Sequence, residues 1–459
     1  MTTGTRRVSR ALGSGPVVFF AFAFAVMADP VSSVAYAVEA ALRSLDGDLA
    51  LLVPTMLVVV VIIFLVIINY RQIIGRYPGG GGASAAIGEA FGDAWSFIPI
   101  GAVVVDFVLT IAISVSAGSA AVIAYFPELA PWRLAIALGL VVFVAAATLF
   151  GNLGRLLFAV MTLSFVVVAL VVLVLGLGAT PHEIGTVSSN PGHVPIIAII
   201  LAFPVAMALA TGVEAPSSAI AQLGHLDRAG KRRFGQRTLW LTLGVVGVIT
   251  VGLAAEAVYL HIGVPPSNST LIAEVANAAA PKPVFALFQL TTALLLLAAA
   301  SSSFQAGPGL LKALAEHDDG KGKEVGVLPS VFGRVNTRLA PVWGVALFAV
   351  LAIIVTTLAG GDDQILVLFY AVAVFLSFLA GLLAMAKFSR EEGKRGSFVL
   401  NAIGALVVAF TLVANLSRGY PLVSLAIALL VAGTLYAMWV RAGRPAGVRH
   451  VTANAERKV

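Results

Sequence analysis

The sequence contains no cysteine, so it can form neither a disulfide nor a thiolate-held metal site. Charge is nearly as scarce: 11% of residues are charged, against about 25% in a typical soluble domain. No polar stretch is long enough to build a soluble catalytic or regulatory domain. The six histidines (His182, His193, His225, His261, His317 and His450) are scattered in loops or at span ends, none at metal-ligand spacing. The glycine run "YPGGGGAS" (Tyr77 to Ser84) lacks both the Lys-Ser/Thr and the preceding strand of a phosphate loop. It is expected to be a flexible connector at the membrane interface. With no catalytic triad and no nucleotide fold, the chain is not an enzyme, needs no cofactor, and any transport it performs is secondary rather than ATP-driven.

What fills the sequence instead is apolar. Hydrophobic residues make up 59% of it, mean hydropathy is +1.01, and runs of about 18 or more apolar residues recur along its length. The alternation of a membrane β-barrel is missing. The fold class is therefore all-α and polytopic. Twelve spans are expected at 16–42, 50–69, 94–124, 132–150, 154–178, 194–223, 238–260, 283–312, 340–358, 364–387, 398–416 and 420–441. Arg6, Arg7 and Arg10 precede the first run, which lacks a small-residue cleavage site and is expected to be a retained span. With the N-terminus inside, only Arg43, Arg133, Lys282 and Arg418 of the 29 Lys and Arg fall outside. That bias fits the positive-inside rule and places both termini in the cytoplasm of a cell (inner) membrane protein. The net charge of +7 thus reflects loop anchoring, as in "RAGKRRFGQR" (Arg228 to Arg237), rather than a nucleic-acid surface. The expected parts are a cytoplasmic N-terminus (1–15), a transporter core (16–387), spans eleven and twelve (388–441) and a short, disordered cytoplasmic tail (442–459).

Two spans carry the same irregularity. The first reads "ADPVSSVAYA" and the sixth "VEAPSSAIAQ". Asp29 matches Glu214, Pro30 matches Pro216, and Ser32 and Ser33 match Ser217 and Ser218. Because five spans separate them, the two halves have opposite topology, the pattern of an inverted repeat with one interrupted helix per half. Proline removes a helical donor and clashes with the preceding turn, so the helices are expected to open at Pro30 and Pro216. Opened backbone at membrane depth is tolerated only when buried in protein or lining a cavity. Either proline alone would suggest a simple kink; an acid beside a breaker in both halves argues for a site.

A third intramembrane acid, Asp106, shares a helical face with Thr110. An acid at a span's centre costs about 2.5–3.5 kcal/mol on insertion scales, so such residues turn inward. Asp29, Tyr36, Asp106, Thr110, Thr211 and Glu214 together offer only oxygen ligands, which suit a hard cation.

The motifs "DPVSSVAYAVE", "YPGGGGAS", "DFVLTIAISVSAG", "TGVEAPSS", "SSSFQAGPGLL" and "FYAVAVFLSF" resemble those of the APC (amino acid–polyamine–organocation) superfamily of permeases. Within it they are most similar to KimA-type potassium transporters, relatives of the KUP family. The resemblance covers spans one, three, six, eight and ten. It implies a LeuT-like core of five plus five helices with two more appended, and potassium bound by Asp29, Tyr36, Asp106, Thr110, Thr211 and Glu214. It also implies Tyr370 as a gate, proton coupling, and dimerisation through a large C-terminal domain. Departures are Phe107 where the family has tyrosine, "SSSF" and "GPGL" for Asn-Thr-Ser-Phe and Phe-Pro-Arg-Leu, "NLGR" (Asn152 to Arg155) for Asn-Leu-Arg-Gly, and no C-terminal domain.

Three substrates remain open: potassium with a proton, an amino acid with a proton or sodium, and a polyamine or other organic cation. Amino acid carriers present their substrate's carboxylate to bare helix N-termini; Asp29 stands at that place and would repel it. No lysine lies mid-span, so a carboxylate must carry a coupled proton, and Glu214 is the expected carrier. Oligomeric state is not legible.

Overall fold

The computed structural model describes residues 15–151, 154–188, 194–224, 226–316, 326–370 and 372–457. Arg6, Arg7 and Arg10, Asn152 of "NLGR", and His193, His225 and His317 lie outside the described residues. The described residues are mostly helical and contain no strand, only isolated bridges such as Thr186 with Val264. Helix is the open-chain solution for lipid, because it satisfies backbone hydrogen bonds within one segment.

The helices are α1 (Gly15–Val26), α2 (Ala28–Ser32), α3 (Val34–Ser44), α4 (Leu49–Arg76), α5 (Gly82–Phe91), α6 (Phe97–Tyr125), α7 (Arg133–Phe150), α8 (Arg155–Gly176), α9 (Pro195–Ala206) and α10 (Ala215–Ala219). They continue as α11 (Arg228–Tyr259), α12 (Leu271–Ala279), α13 (Lys282–Ala315), α14 (Val342–Leu358), α15 (Asp363–Phe369), α16 (Val372–Glu391), α17 (Arg395–Leu416), α18 (Tyr420–Arg441) and α19 (Val451–Arg457). Ten helical segments among the described residues are long and apolar enough to cross a bilayer; Val17–Val26 and Val342–Leu358 are apolar but shorter. The chain is thus a polytopic helical membrane protein.

The centre of the molecule is α6, whose apolar stretch is mostly buried and which packs on α13, α14, α16 and α18. Small residues allow this. Gly101 meets the Ala432 backbone so closely that a Cβ would sit 2.7 Å from its nitrogen, the close approach expected of helices packing in lipid. The outer helices α7, α17 and α18 keep most of their apolar side chains outward. One face of the molecule carries Arg71, Arg76, Arg228, Arg232 and Lys394 and is called the basic face below.

A buried amide network ties α17 to the core. Asn69 Nδ2 on α4 donates to Asn401 Oδ1 at 2.9 Å and to the Gly381 carbonyl at 3.3 Å; Asn401 Nδ2 donates to Gln72 Oε1 at 2.9 Å. Interhelical polar bonds of this kind contribute about 0.6–2 kcal/mol each. Asn401→Leu is therefore expected to destabilise the fold by about 1–2 kcal/mol, read as a lower Tm in detergent; an unchanged Tm would remove the network from the stability of α17.

Two expectations fail here. The glycine run is not a flexible connector but a buried, tightly turned loop entering α5. Gly80, Gly81 and Gly82 have φ of +93°, +107° and +52°, where other residues are strained. A Cβ on Gly82 would lie 2.8 Å from Ser217 Oγ, and one on Gly80 would lie 2.8 Å from Ala221 Cβ. The glycines are there because the sixth segment passes so close. The described part of the tail, 442–457, is not disordered either. Trp439 Nε1 donates to the Pro445 carbonyl at 2.9 Å, Val448 and Val451 are fully buried, and Thr452 Oγ1 donates to the Gly81 carbonyl at 3.1 Å. Burying two valines contributes about 1.5–3 kcal/mol each, enough to fold a polar-looking segment back onto the core.

Candidate functional site

The first segment bends rather than opens. Its interruptions fall at Met27 and Ser33, and the ladder runs through them: Val31 N to Met27 O at 3.0 Å, Ser33 N to Asp29 O at 3.2 Å and Ala37 N to Ser33 O at 2.9 Å. The expectation of an open helix at Pro30 is corrected. Pro30 sits in the first turn of α2, where a missing N–H is tolerated, and the bend is taken up at Met27. The hydroxyl of Ser32 donates to the Asp29 carbonyl at 2.7 Å.

The sixth segment does open, but not at Pro216. After α9 a short 3-10 turn (Met207–Ala210) leads into extended Thr211 (ψ 140°) and left-handed Gly212 (φ +75°). Pro216 lies in the first turn of α10, the helical position proline suits best. A Cβ on Gly212 would sit 2.7 Å from both Asp29 Oδ2 and Pro30 Cδ. The first and sixth segments therefore touch at Asp29 and Gly212, a contact that neither the acid-plus-proline pattern nor periodicity reveals. A glycine just before the acid was its only trace in the sequence.

One cavity of about 370 Å³ brings Asp29, Asp106 and Glu214 together, with Ser218, Ser302 and Gln305 also in its wall. Asp29 Oδ1, Asp106 Oδ1, Glu214 Oε2 and Gln305 Nε2 are buried without a hydrogen-bond partner. No Lys, Arg or His appears among the cavity's described lining residues. Three carboxylates thus share a low-dielectric space with no fixed countercharge among the described residues, an arrangement that demands cations, protons or both. Ser302 and Gln305 were not singled out from the sequence; the polar run "SSSFQ" inside an apolar span was the available sign.

The other expected ligands divide. Tyr36, Thr110 and Tyr370 form a buried hydroxyl layer beyond the acids. Ser33 Oγ and Tyr36 Oη are 2.9 Å apart, Thr110 Oγ1 and Tyr370 Oη 2.6 Å apart, and the two tyrosine hydroxyls adjoin each other. Thr211 is buried, but its hydroxyl donates to the Ala208 carbonyl at 2.9 Å, and it does not line the cavity.

The two ends of the pathway differ. Toward the basic face the cavity is walled by Thr452 and Ala455 of α19. Away from it, polar ties bind the elements above the tyrosines: Gln364 Nε2 reaches the Tyr36 carbonyl at 3.4 Å, and buried Glu39 accepts from Arg43 Nε and Leu271 N, each at 2.8 Å.

Many apolar helices around a buried polar cavity define an integral membrane transporter, and comparison with known proteins agrees. The amino acid permease family model matches residues 18–439, and the chain belongs to that family. It is also similar to the potassium transporter KimA of Bacillus subtilis (strain 168), with 28% identity over 398 residues, covering 83% of this chain. The chain spans 63% of that relative's length.

Proposed function

We propose that the protein is a proton-coupled importer of a small cation, potassium, working by alternating access between two inverted repeats of a twelve-span, LeuT-like core. The basic face and both termini are then cytoplasmic, in a cell (inner) membrane. The observation that carries this is one cavity lined by Asp29, Asp106 and Glu214 with no Lys, Arg or His among its described lining residues. An amino acid would bring its own carboxylate against three others, and like charges disfavour it. The similarity to a potassium transporter supports the choice of potassium among cations.

In the proposed cycle, Asp29 and Asp106 hold the ion with backbone oxygens at the sixth-segment opening. Glu214 takes and releases the proton. The layer of Tyr36, Thr110 and Tyr370 separates the cavity from the opposite face, with Tyr370 as the gate. Spans one, two, six and seven rock against spans three, four, eight and nine.

The test is growth of a potassium-uptake-deficient bacterium on low potassium, followed by uptake in proteoliposomes under a proton gradient. Rescue with proton-dependent potassium accumulation is expected. Uptake of a labelled amino acid or polyamine in its place would overturn the choice of substrate.

Because the chain has no cysteine, labelling checks the proposed conformational cycle directly. Ser218 lines the cavity, whereas Ser33 is fully buried. Ser218→Cys is expected to react with a reagent applied from the basic face and Ser33→Cys to stay protected, with substrate shifting both. Reactivity independent of substrate in both positions would sink the rocking cycle.

A further inference from the structure

Three adjoining hollows on the basic face share Gly75 and form one trough; the two larger measure about 960 and 570 Å³. Its walls carry Arg71, Arg76, Arg228, Arg232, Arg233 and Lys394, against the acids Asp227 and Glu392. Both acids are already engaged. The Asp227 carboxylate accepts from Gly230 N at 2.8 Å, and Glu392 is held by Arg76 at 2.5 Å and Lys394 at 2.8 Å. Among the described residues, Arg71, Arg228, Arg232 and Arg233 make no ion pair. Orientation of a membrane protein needs only that basic residues lie on one side. It does not require them to converge on a concave site with most of their guanidinium groups free of carboxylates.

The trough's two ends are also informative. One is apolar, lined by Ile68 and Leu400 on the spanning helices α4 and α17. The other is walled by His450, Ala453 and Asn454 of the tail. The same short helix that presents Ala453 and Asn454 to the trough presents Thr452 and Ala455 to the acid cavity. It is the partition between the two.

We propose that this trough binds a phosphate-bearing anion, supplied by the headgroup of an anionic phospholipid entering past Ile68 and Leu400, and that the bound headgroup holds α19 across the acid cavity. Guanidinium groups match phosphate oxygens in a two-pronged geometry. The apolar end favours a headgroup still attached to its chains over a free ion. Release of the headgroup would loosen α19 and open the cavity toward the basic face, so transport would respond to the lipid composition of the membrane.

The test uses the purified full chain in detergent, titrated separately with short-chain phosphatidylglycerol, short-chain phosphatidylcholine and inorganic phosphate. Each basic residue near an anionic headgroup contributes roughly fivefold in affinity. The pair Arg228→Ala and Arg232→Ala is therefore expected to weaken phosphatidylglycerol binding about 25-fold; the Arg228→Lys and Arg232→Lys pair, which keeps both charges but loses the two-pronged fit, should bind between the two, and an unchanged Tm of both pairs controls for folding. Phosphatidylcholine should bind far more weakly. Equal binding by wild type and the alanine pair would overturn the site. Phosphate binding as tightly as phosphatidylglycerol would keep the anion site but overturn its lipid source. Hydrogen exchange over residues 448–457 reads the coupling: phosphatidylglycerol should slow it in wild type and not in the alanine pair, and no change in wild type would overturn the hold on α19. None of these measurements involves the transported substrate, so they stand apart from whether potassium is carried.

Discussion

Asp29→Asn is expected to abolish uptake while leaving the protein inserted and folded. Asp29 is the point where the first and sixth segments meet: its Oδ2 lies within reach of any side chain at Gly212, and its Oδ1 is buried without a partner. An amide there keeps the shape but removes one of three negative charges from a cavity that has no positive one in its described lining. Truncating one member of a buried charge pair costs about 2–5 kcal/mol, so cation uptake should fall by about thirtyfold or more. Folding moves the other way. A carboxylate within a span costs about 2.5–3.5 kcal/mol on insertion scales, so relieving it should leave Tm unchanged or raised. Transport per molecule and Tm in detergent are both measured. Wild-type transport per inserted molecule together with lost expression would instead make Asp29 a purely structural acid.

What the sequence disclosed follows from cost. A carboxylate in an apolar run is expensive unless it has work to do, so Asp29, Asp106 and Glu214 stood out, and the structure brings the three to one cavity. Apolar length alone marked the spanning helices. The misreadings concern positions where composition fits two outcomes. Consecutive glycines suit a loose linker as well as a loop of three successive positive φ angles; what decides is the close passage of Ser217 and Ala221, which is tertiary. The tail "VTANAER" looks polar because it buries small residues, Ala453 and Ala455, against a surface that only the folded core provides. Proline was overread as a breaker. At Pro30 and Pro216 it occupies first turns, and the real opening at Thr211 and Gly212 is made by an extended residue and a left-handed glycine. Thr211 was grouped with the ligands as an oxygen donor and by resemblance; its hydroxyl donates to the Ala208 carbonyl, and it does not line the cavity.

Glu214→Gln is expected to separate binding from accumulation. Glu214 follows directly on the opened stretch, faces the cavity, and keeps Oε2 unpartnered. Three carboxylates in one enclosed site titrate as a coupled set, and they cannot all be charged unless cations balance them. One proton is therefore retained when no ion is bound, and an incoming cation shifts that balance. Glu214 is the best placed of the three to exchange it. Asp29 is packed against Gly212, and Asp106 is buried within the long central helix, while Glu214 sits at a point where the backbone already leaves the helix. Glutamine fixes the protonated, uncharged form. The variant should still bind the cation and exchange it across the bilayer, since Asp29 and Asp106 remain, but an inward proton gradient should no longer drive accumulation. Wild-type uptake should rise as the outside is acidified relative to the inside; the variant's should be flat over the same range. Proteoliposomes loaded at fixed internal pH and challenged at several external values give the comparison, with ion exchange at equal pH as the control for folding. Accumulation by the variant with a wild-type pH response would move the coupling to Asp29, to Asp106 or to sodium.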